Sequence, residues 1–131
     1  MEITRAYDIA VERKSAVFLG SKGLEKGCPC GLSGGKAVLI SEKHEGFLGF
    51  VESGLDDGRC LVTIRGGCQL KIKDIHLAKI GDTIFCNGVN DFTLTEGSPI
   101  GVFKYQQPDF PGFGMVCFKR FDDQEQIELG K

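Results

Sequence analysis

Residues 46–121 read as a run of short strands separated by glycine-marked turns, and within them residues 62–73 alternate apolar and polar side chains with a period of two. Val62 and Ile64 alternate with Thr63 and Arg65, and Cys68, Leu70 and Ile72 alternate with Gln69, Lys71 and Lys73. A strand sends successive side chains to opposite faces, so this pattern predicts strands with one wet face. Gly46-Phe47-Leu48-Gly49-Phe50-Val51 predicts another strand, in which Gly49 permits a bend or a close contact. Ala37-Val38-Leu39-Ile40 predicts a strand that is fully buried or sits in a barrel wall. Further strands are predicted over residues 83–86, 92–95, 99–105 and 115–121. No segment of this region has the spacing of a helix.

Turn residues separate these strands. Asp56-Asp57-Gly58, Asn87-Gly88 and Glu96-Gly97-Ser98 are turn signals, and residues 31–35 form a glycine-rich loop. Gly66-Gly67 fits either a tight hairpin or a bulge in one long bent strand. Ala78-Lys79-Ile80-Gly81-Asp82 predicts a connecting turn, and residues 106–114 a loop punctuated by proline and glycine. About eight short strands with frequent turns predict an all-β domain built as a small β-barrel or sandwich. Residues 1–30 read as an amino-terminal arm holding one short strand at Ala16-Val17-Phe18-Leu19. Residues 31–121 read as the barrel-like domain, and residues 122–131 as an acidic tail.

Composition narrows the function classes. The chain has 131 residues with a formal charge of -2, from 16 basic and 18 acidic side chains. No Lys/Arg block stands out, so a phosphate-tracking nucleic-acid surface is not expected. No stretch is long and apolar enough for a membrane helix, and Met1-Glu2-Ile3-Thr4-Arg5-Ala6-Tyr7-Asp8 lacks an apolar signal region. The expectation is therefore a chain that works in a reducing cytosol, with no membrane partner.

Six cysteines are present, at 28, 30, 60, 68, 86 and 117. In a reducing compartment they read as buried thiols, which behave as small hydrophobes. Cys28-Pro29-Cys30 has one intervening residue and no second pair, so neither a zinc site nor a two-residue redox motif is expected, and the segment reads as a rigid turn. If it belongs to an arm, Cys28 and Cys30 are candidates for oxidation across subunits. His44 and His76 stand alone. Gly34-Gly35-Lys36 lacks the remainder of a phosphate loop. No nucleophile elbow or dinucleotide fingerprint is present, and the acids at 56, 57, 82, 91 and 96 sit where turns favour them. The chain is expected to be no enzyme, with no metal or cofactor. The alternative, a small ligand-binding or enzymatic barrel, would use Cys68 or Cys86 with His76 as a thiol–imidazole pair.

Of the ten phenylalanines, Phe47, Phe50, Phe85, Phe92, Phe103 and Phe118 are assigned to the core. Phe110-Pro111-Gly112-Phe113 admits two readings: exposed aromatics at an interface, or a cap over an open barrel end.

The succession Glu45-Gly46-Phe47-Leu48-Gly49-Phe50-Val51, Leu61-Val62-Thr63-Ile64, Gly67-Cys68-Gln69-Leu70, Ile80-Gly81-Asp82-Thr83-Ile84-Phe85, Leu94-Thr95, Ile100-Gly101-Val102-Phe103 and Met115-Val116-Cys117-Phe118 resembles the tailed-phage capsid decoration, or cement, proteins. The resemblance covers about the last two thirds of the chain. The six cysteines, the long charged amino-terminal segment and the loop at 106–114 depart from the family pattern. The resemblance implies a barrel-like or β-tulip fold and a homotrimer on the capsid exterior. It also implies a virion protein made in the host cytoplasm, with the major capsid protein as partner and no catalysis. The amino-terminal arm would add a strand to a capsid-protein loop. Ile3, Thr4, Arg5 and Tyr7 in that arm, with Phe110 and Phe113, are the candidate partner-binding residues. Another β-rich virion part, such as a head-fibre base, tail or adaptor protein, is the near alternative.

Overall fold

Residues 13–55 and 57–123 are described by a computed structural model. Nine strands follow one another: β1 (Lys14–Gly20), β2 (Pro29–Ser33), β3 (Lys36–Leu39), β4 (Gly46–Gly54), β5 (Arg59–Lys71), β6 (Thr83–Gly88), β7 (Asp91–Thr93), β8 (Ser98–Gln106) and β9 (Phe113–Lys119). A single 3₁₀ turn, Ile75–Leu77, is the one helical element among the described residues. The protein is all-β, as its alternation predicts. The strand count is nine rather than about eight.

All nine strands belong to one sheet, in the order β1-β3-β2-β4-β5-β9-β8-β6-β7. That sheet closes on itself twice. β1 pairs back onto β5, from Lys14 against Arg65 to Leu19 against Arg59, so β1, β3, β2, β4 and β5 form a closed circuit. Inside it lie Cys30, Leu32, Ala37, Leu48 and Val62. The second circuit runs β5-β9-β8-β6-β7 and returns to β5 through one parallel bridge, Ile72 to Phe92. It surrounds Ile84, Ile100, Phe103, Val116 and Phe118. Burying each of these large apolar side chains contributes about 1.5–3 kcal/mol before chain entropy is set against it.

β5 is the wall common to both circuits, and its sequence explains how one strand serves two. It is 13 residues long and passes unbroken through Gly66-Gly67, which decides between the hairpin and bent-strand readings in favour of the strand. Its first half pairs with β1 and β4, its second with β9. Arg65 marks the exchange, since it faces Lys14 of β1 on one side and Lys119 of β9 on the other.

Two glycines permit the tight crossings. A Cβ on Gly49 of β4 would sit 2.1 Å from the Thr63 carbonyl oxygen, and one on Gly101 of β8 would sit 2.0 Å from that of Cys117. The close approach expected at Gly49 is therefore the structural reason for that residue. The β2–β3 hairpin turns through Gly34 and Gly35, whose φ angles of 57° and 82° suit the primed turn of a two-residue loop.

The segment after β9 ties the second circuit to the first. The Arg120 N–H donates to the Ile64 carbonyl and the Phe121 N–H to the Phe47 carbonyl, both at 2.8 Å. The Phe121 ring occupies the space over Gly46 that a Cβ would need. Arg65 and Asp123 are within 3.8 Å of each other, both largely buried.

Two local expectations need correction. Cys28-Pro29-Cys30 is no rigid turn: Pro29 and Cys30 open β2, pairing with Phe50 and Gly49. Pro is tolerated at the first residue of a strand, and the turn lies just before it, at Gly27 with φ 90°. Cys28 and Cys30 are buried in the first core, so neither presents a thiol for oxidation between subunits. The strand foreseen at residues 16–19 is β1, and it is integral to the first circuit rather than peripheral.

Candidate partner-binding cleft

On the side of β5 that β1 occupies, the strand runs out of neighbours. β1 accompanies it as far as Arg65, and Phe92 of β7 meets it again at Ile72. Between these points no described strand pairs with β5 on that side. Backbone donors show which atoms face the gap. The Ile72 N–H bonds the Gly112 carbonyl in the loop leading into β9, whereas the Lys73 N–H bonds the Phe92 carbonyl on the opposite side. Along a strand successive N–H groups point to opposite edges, so those of Gly67, Gln69 and Lys71 point into the gap.

The gap is the side wall of a cleft of about 760 Å³. Five consecutive residues, Gly67 to Lys71, line it. A strand lines an opening with consecutive residues when it turns an edge to it rather than a face. The floor is aromatic: Phe50, Phe92, Phe113 and Phe118. Phe50 and Phe118 meet edge to face with ring centroids 4.8 Å apart, and Phe92 stands 6.2 Å from Phe50.

The rim is charged. Arg13, Lys26 and Lys71 contribute three cations against one carboxylate, Glu52, on a chain whose formal charge is -2. That carboxylate is already engaged. Its Oε2 accepts from the hydroxyls of Ser15 and Thr63, and Arg13 Nη2 lies 3.4 Å away. The Ser15 hydroxyl, then that of Thr63 and then Arg13 hold the Glu52 carboxyl below the usual carboxylate range, against a smaller opposing effect of burial. Glu52 thus fastens the start of β1 to β4 and β5 and leaves Lys26 and Lys71 to set the charge at the opening. Neither amide atom of Gln69, which lines the cleft, has a hydrogen-bond partner among the described residues.

The thiol–imidazole alternative finds no assembled pair. Cys68 lines the cleft, but burial, with the neighbouring Cys117, pushes its thiol up to about 12. Cys86 is buried elsewhere in the second core, donating from Sγ to the Gly88 carbonyl at 3.0 Å, and burial raises it to about 11. His76 is exposed on the 3₁₀ turn and takes no part in the cleft. A thiol nucleophile needs its proton removed near neutral pH, and these environments disfavour the thiolate. Among the described residues no group of three or more His, Cys, Asp and Glu side chains is placed to hold a metal ion.

Of the residues singled out by sequence, Phe113 stands in the cleft floor, half-buried. Phe110 is 58% exposed on the β8–β9 loop and faces solvent, whereas Phe113 lines the cleft rather than a barrel end. Ile3, Thr4, Arg5 and Tyr7 lie outside the described residues. Phe85, assigned to the core, is only half-buried. Sequence reasoning did not find Gln69, Lys71, Lys26 or Arg13 as site residues. Their only local sign is the polar half of an alternating strand or a charged turn, which every wet surface shares.

Comparison with protein-family models, with curated proteins and with solved structures finds no match for this chain.

Proposed function

We propose that the protein is a structural virion component that binds the outside of a tailed-phage capsid and stabilises the assembled shell. The observation that carries this reading is the open edge of β5 beside an aromatic floor. Main-chain donors along a strand edge and apolar rings beside it are the groups by which an extended segment of another chain is held. Exposed large side chains on the second circuit and its loops add apolar surface for a neighbour to cover: Ile80 is 78% exposed and Leu77 61%, and Phe110 is comparable. Such a protein works by mass action. A ligand that binds the assembled lattice and not its free subunits makes disassembly less favourable in proportion to its occupancy.

The test is co-sedimentation of purified protein with expanded capsids and, separately, with free capsid subunits, alongside the mass of the protein in solution. Saturable binding to capsids alone, by a trimer, is expected. The Phe110→Ala variant is expected to change folding stability by less than about 0.5 kcal/mol, as for an exposed residue, and to weaken capsid binding at least about fivefold, as for an aromatic anchor. A monomer that ignores capsids overturns the reading.

A further inference from the structure

We propose that the open edge of β5 between Gly67 and Lys71 receives an extended strand from a partner protein, antiparallel to β5 and in the line of β1, with acidic side chains alternating with aromatic or large aliphatic ones. The inference rests on reading the cleft as a protein-binding site, and it names the chemistry of what enters.

The backbone argument comes first. Gly67, Gln69 and Lys71 aim their N–H groups into a space that the described strands leave vacant, between β1 at Arg65 and Phe92 at Ile72. The cleft beside that edge measures about 760 Å³. An incoming strand there would complete the second circuit as β1 completes the first, with ladder bonds on both sides of β5. It enters antiparallel because β1, whose line it extends, runs antiparallel to β5.

The side-chain argument decides its composition. A strand alternates its two faces, so one set of side chains meets the floor and the other the rim. The floor is four phenylalanines, which favours aromatic or branched aliphatic residues at every second position. Among the described residues lining the cleft, Glu52 is the one carboxylate beside Lys26 and Lys71, and Ser15, Thr63 and Arg13 already hold it. Carboxylates at the intervening positions complement them, and a basic strand is disfavoured by like charge.

The experiment titrates the isotopically labelled full chain with a short peptide alternating glutamate with phenylalanine and valine. Two controls accompany it: the same peptide with lysine for glutamate, and the acidic peptide N-methylated at alternate residues so that it cannot complete a ladder. Binding is expected to shift the amide resonances of Gly67, Gln69 and Lys71 and to slow their hydrogen exchange at least about tenfold. Both controls are expected to bind at least about tenfold more weakly. Lys26 and Lys71 are exposed, so the Lys26→Glu, Lys71→Glu double variant should fold and should prefer the basic peptide. Equal binding of the N-methylated peptide would show a side-chain pocket without strand addition and overturn the proposal. Shifts confined to other strands would do the same. Binding seen only after residues 1–12 are removed would make the chain's own segment the occupant, and that too overturns it. Failure here is distinguishable from failure of the capsid reading, because capsid co-sedimentation does not depend on the peptide.

Discussion

The two circuits that share β5 are closed in different ways. The first is sealed by a ladder, with β1 lying along β5 for the whole stretch from Arg59 to Arg65. The second is sealed by one bridge, Ile72 to Phe92, and among the described residues no strand pairs with the neighbouring edge. The cores match this difference in closure. The first is packed with small and branched side chains, including the thiols of Cys30 and Cys60, whereas the second sets the rings of Phe47, Phe92, Phe103 and Phe118 among its isoleucines, and Phe92 and Phe118 continue into the cleft floor. A closed ladder removes the unpaired edges through which sheets associate, and a single bridge keeps one available. The difference teaches that one half is held closed by a continuous ladder and the other by a single backbone bridge.

The strongest way to break that comparison is to crowd the crossings. If both circuits depend on close backbone contact, Gly49→Ala in the first and Gly101→Ala in the second should each destabilise by about 3 kcal/mol or more, because a methyl group would meet a carbonyl oxygen rather than a yielding side chain. Denaturant unfolding measures both. A marked inequality would show that only one circuit is packed at its crossing.

The next test acts on the closure of the second circuit alone. Phe92 is 6% exposed; its backbone carbonyl makes the bridge to β5, and its ring packs beside that bridge in the floor. Phe92→Ala should cost about 3 kcal/mol, as for an aromatic lost from a core. Hydrogen exchange should then accelerate in β6 and β7 while the pairs of β1 with β5 stay protected. Uniform acceleration would mean that the circuits open together.

The smallest effect belongs to the first circuit's fastening. Glu52→Gln weakens what the Ser15 and Thr63 hydroxyls and Arg13 bond to, and should cost about 1 kcal/mol at neutral pH. The sign with pH follows from the depressed carboxyl. Its stabilisation is complete above the ordinary value of 4.5 and is lost as pH falls through the lower folded-state value. Thermal unfolding of the two proteins should therefore converge on acidification below about 4.5.

Strand existence was legible because alternation is a local signal: residues 62–72 advertise β5, and Gly49 its own crossing. What the alternation does not carry is which strands meet. Arg13-Lys14 hides the start of β1, since charged residues on an outer face look like a solvated arm until their pairing partner is known. Pro29 reads as a turn because a missing N–H matters inside a ladder, and only the three-dimensional position shows that it stands at a strand's first residue. The three residues of the 3₁₀ turn at Ile75–Leu77 are too few for any period. The cleft had no local sign, because Lys26, Glu52, Lys71 and Phe92 come from separate parts of the chain. Gly66-Gly67 stayed ambiguous for a physical reason: a residue without Cβ suits a sharp reversal and a continuous bend equally.

Because one strand is wall to both cores, global unfolding takes both halves together, whereas β6 and β7, joined to β5 by the single Phe92 bridge, can still open locally. Losing β5 from either barrel strips the other of its central plank, so heat uptake should come as one peak, and van't Hoff and calorimetric enthalpies should agree. A polypeptide cut in two at the glycine pair would be expected to yield fragments that fold only in each other's company.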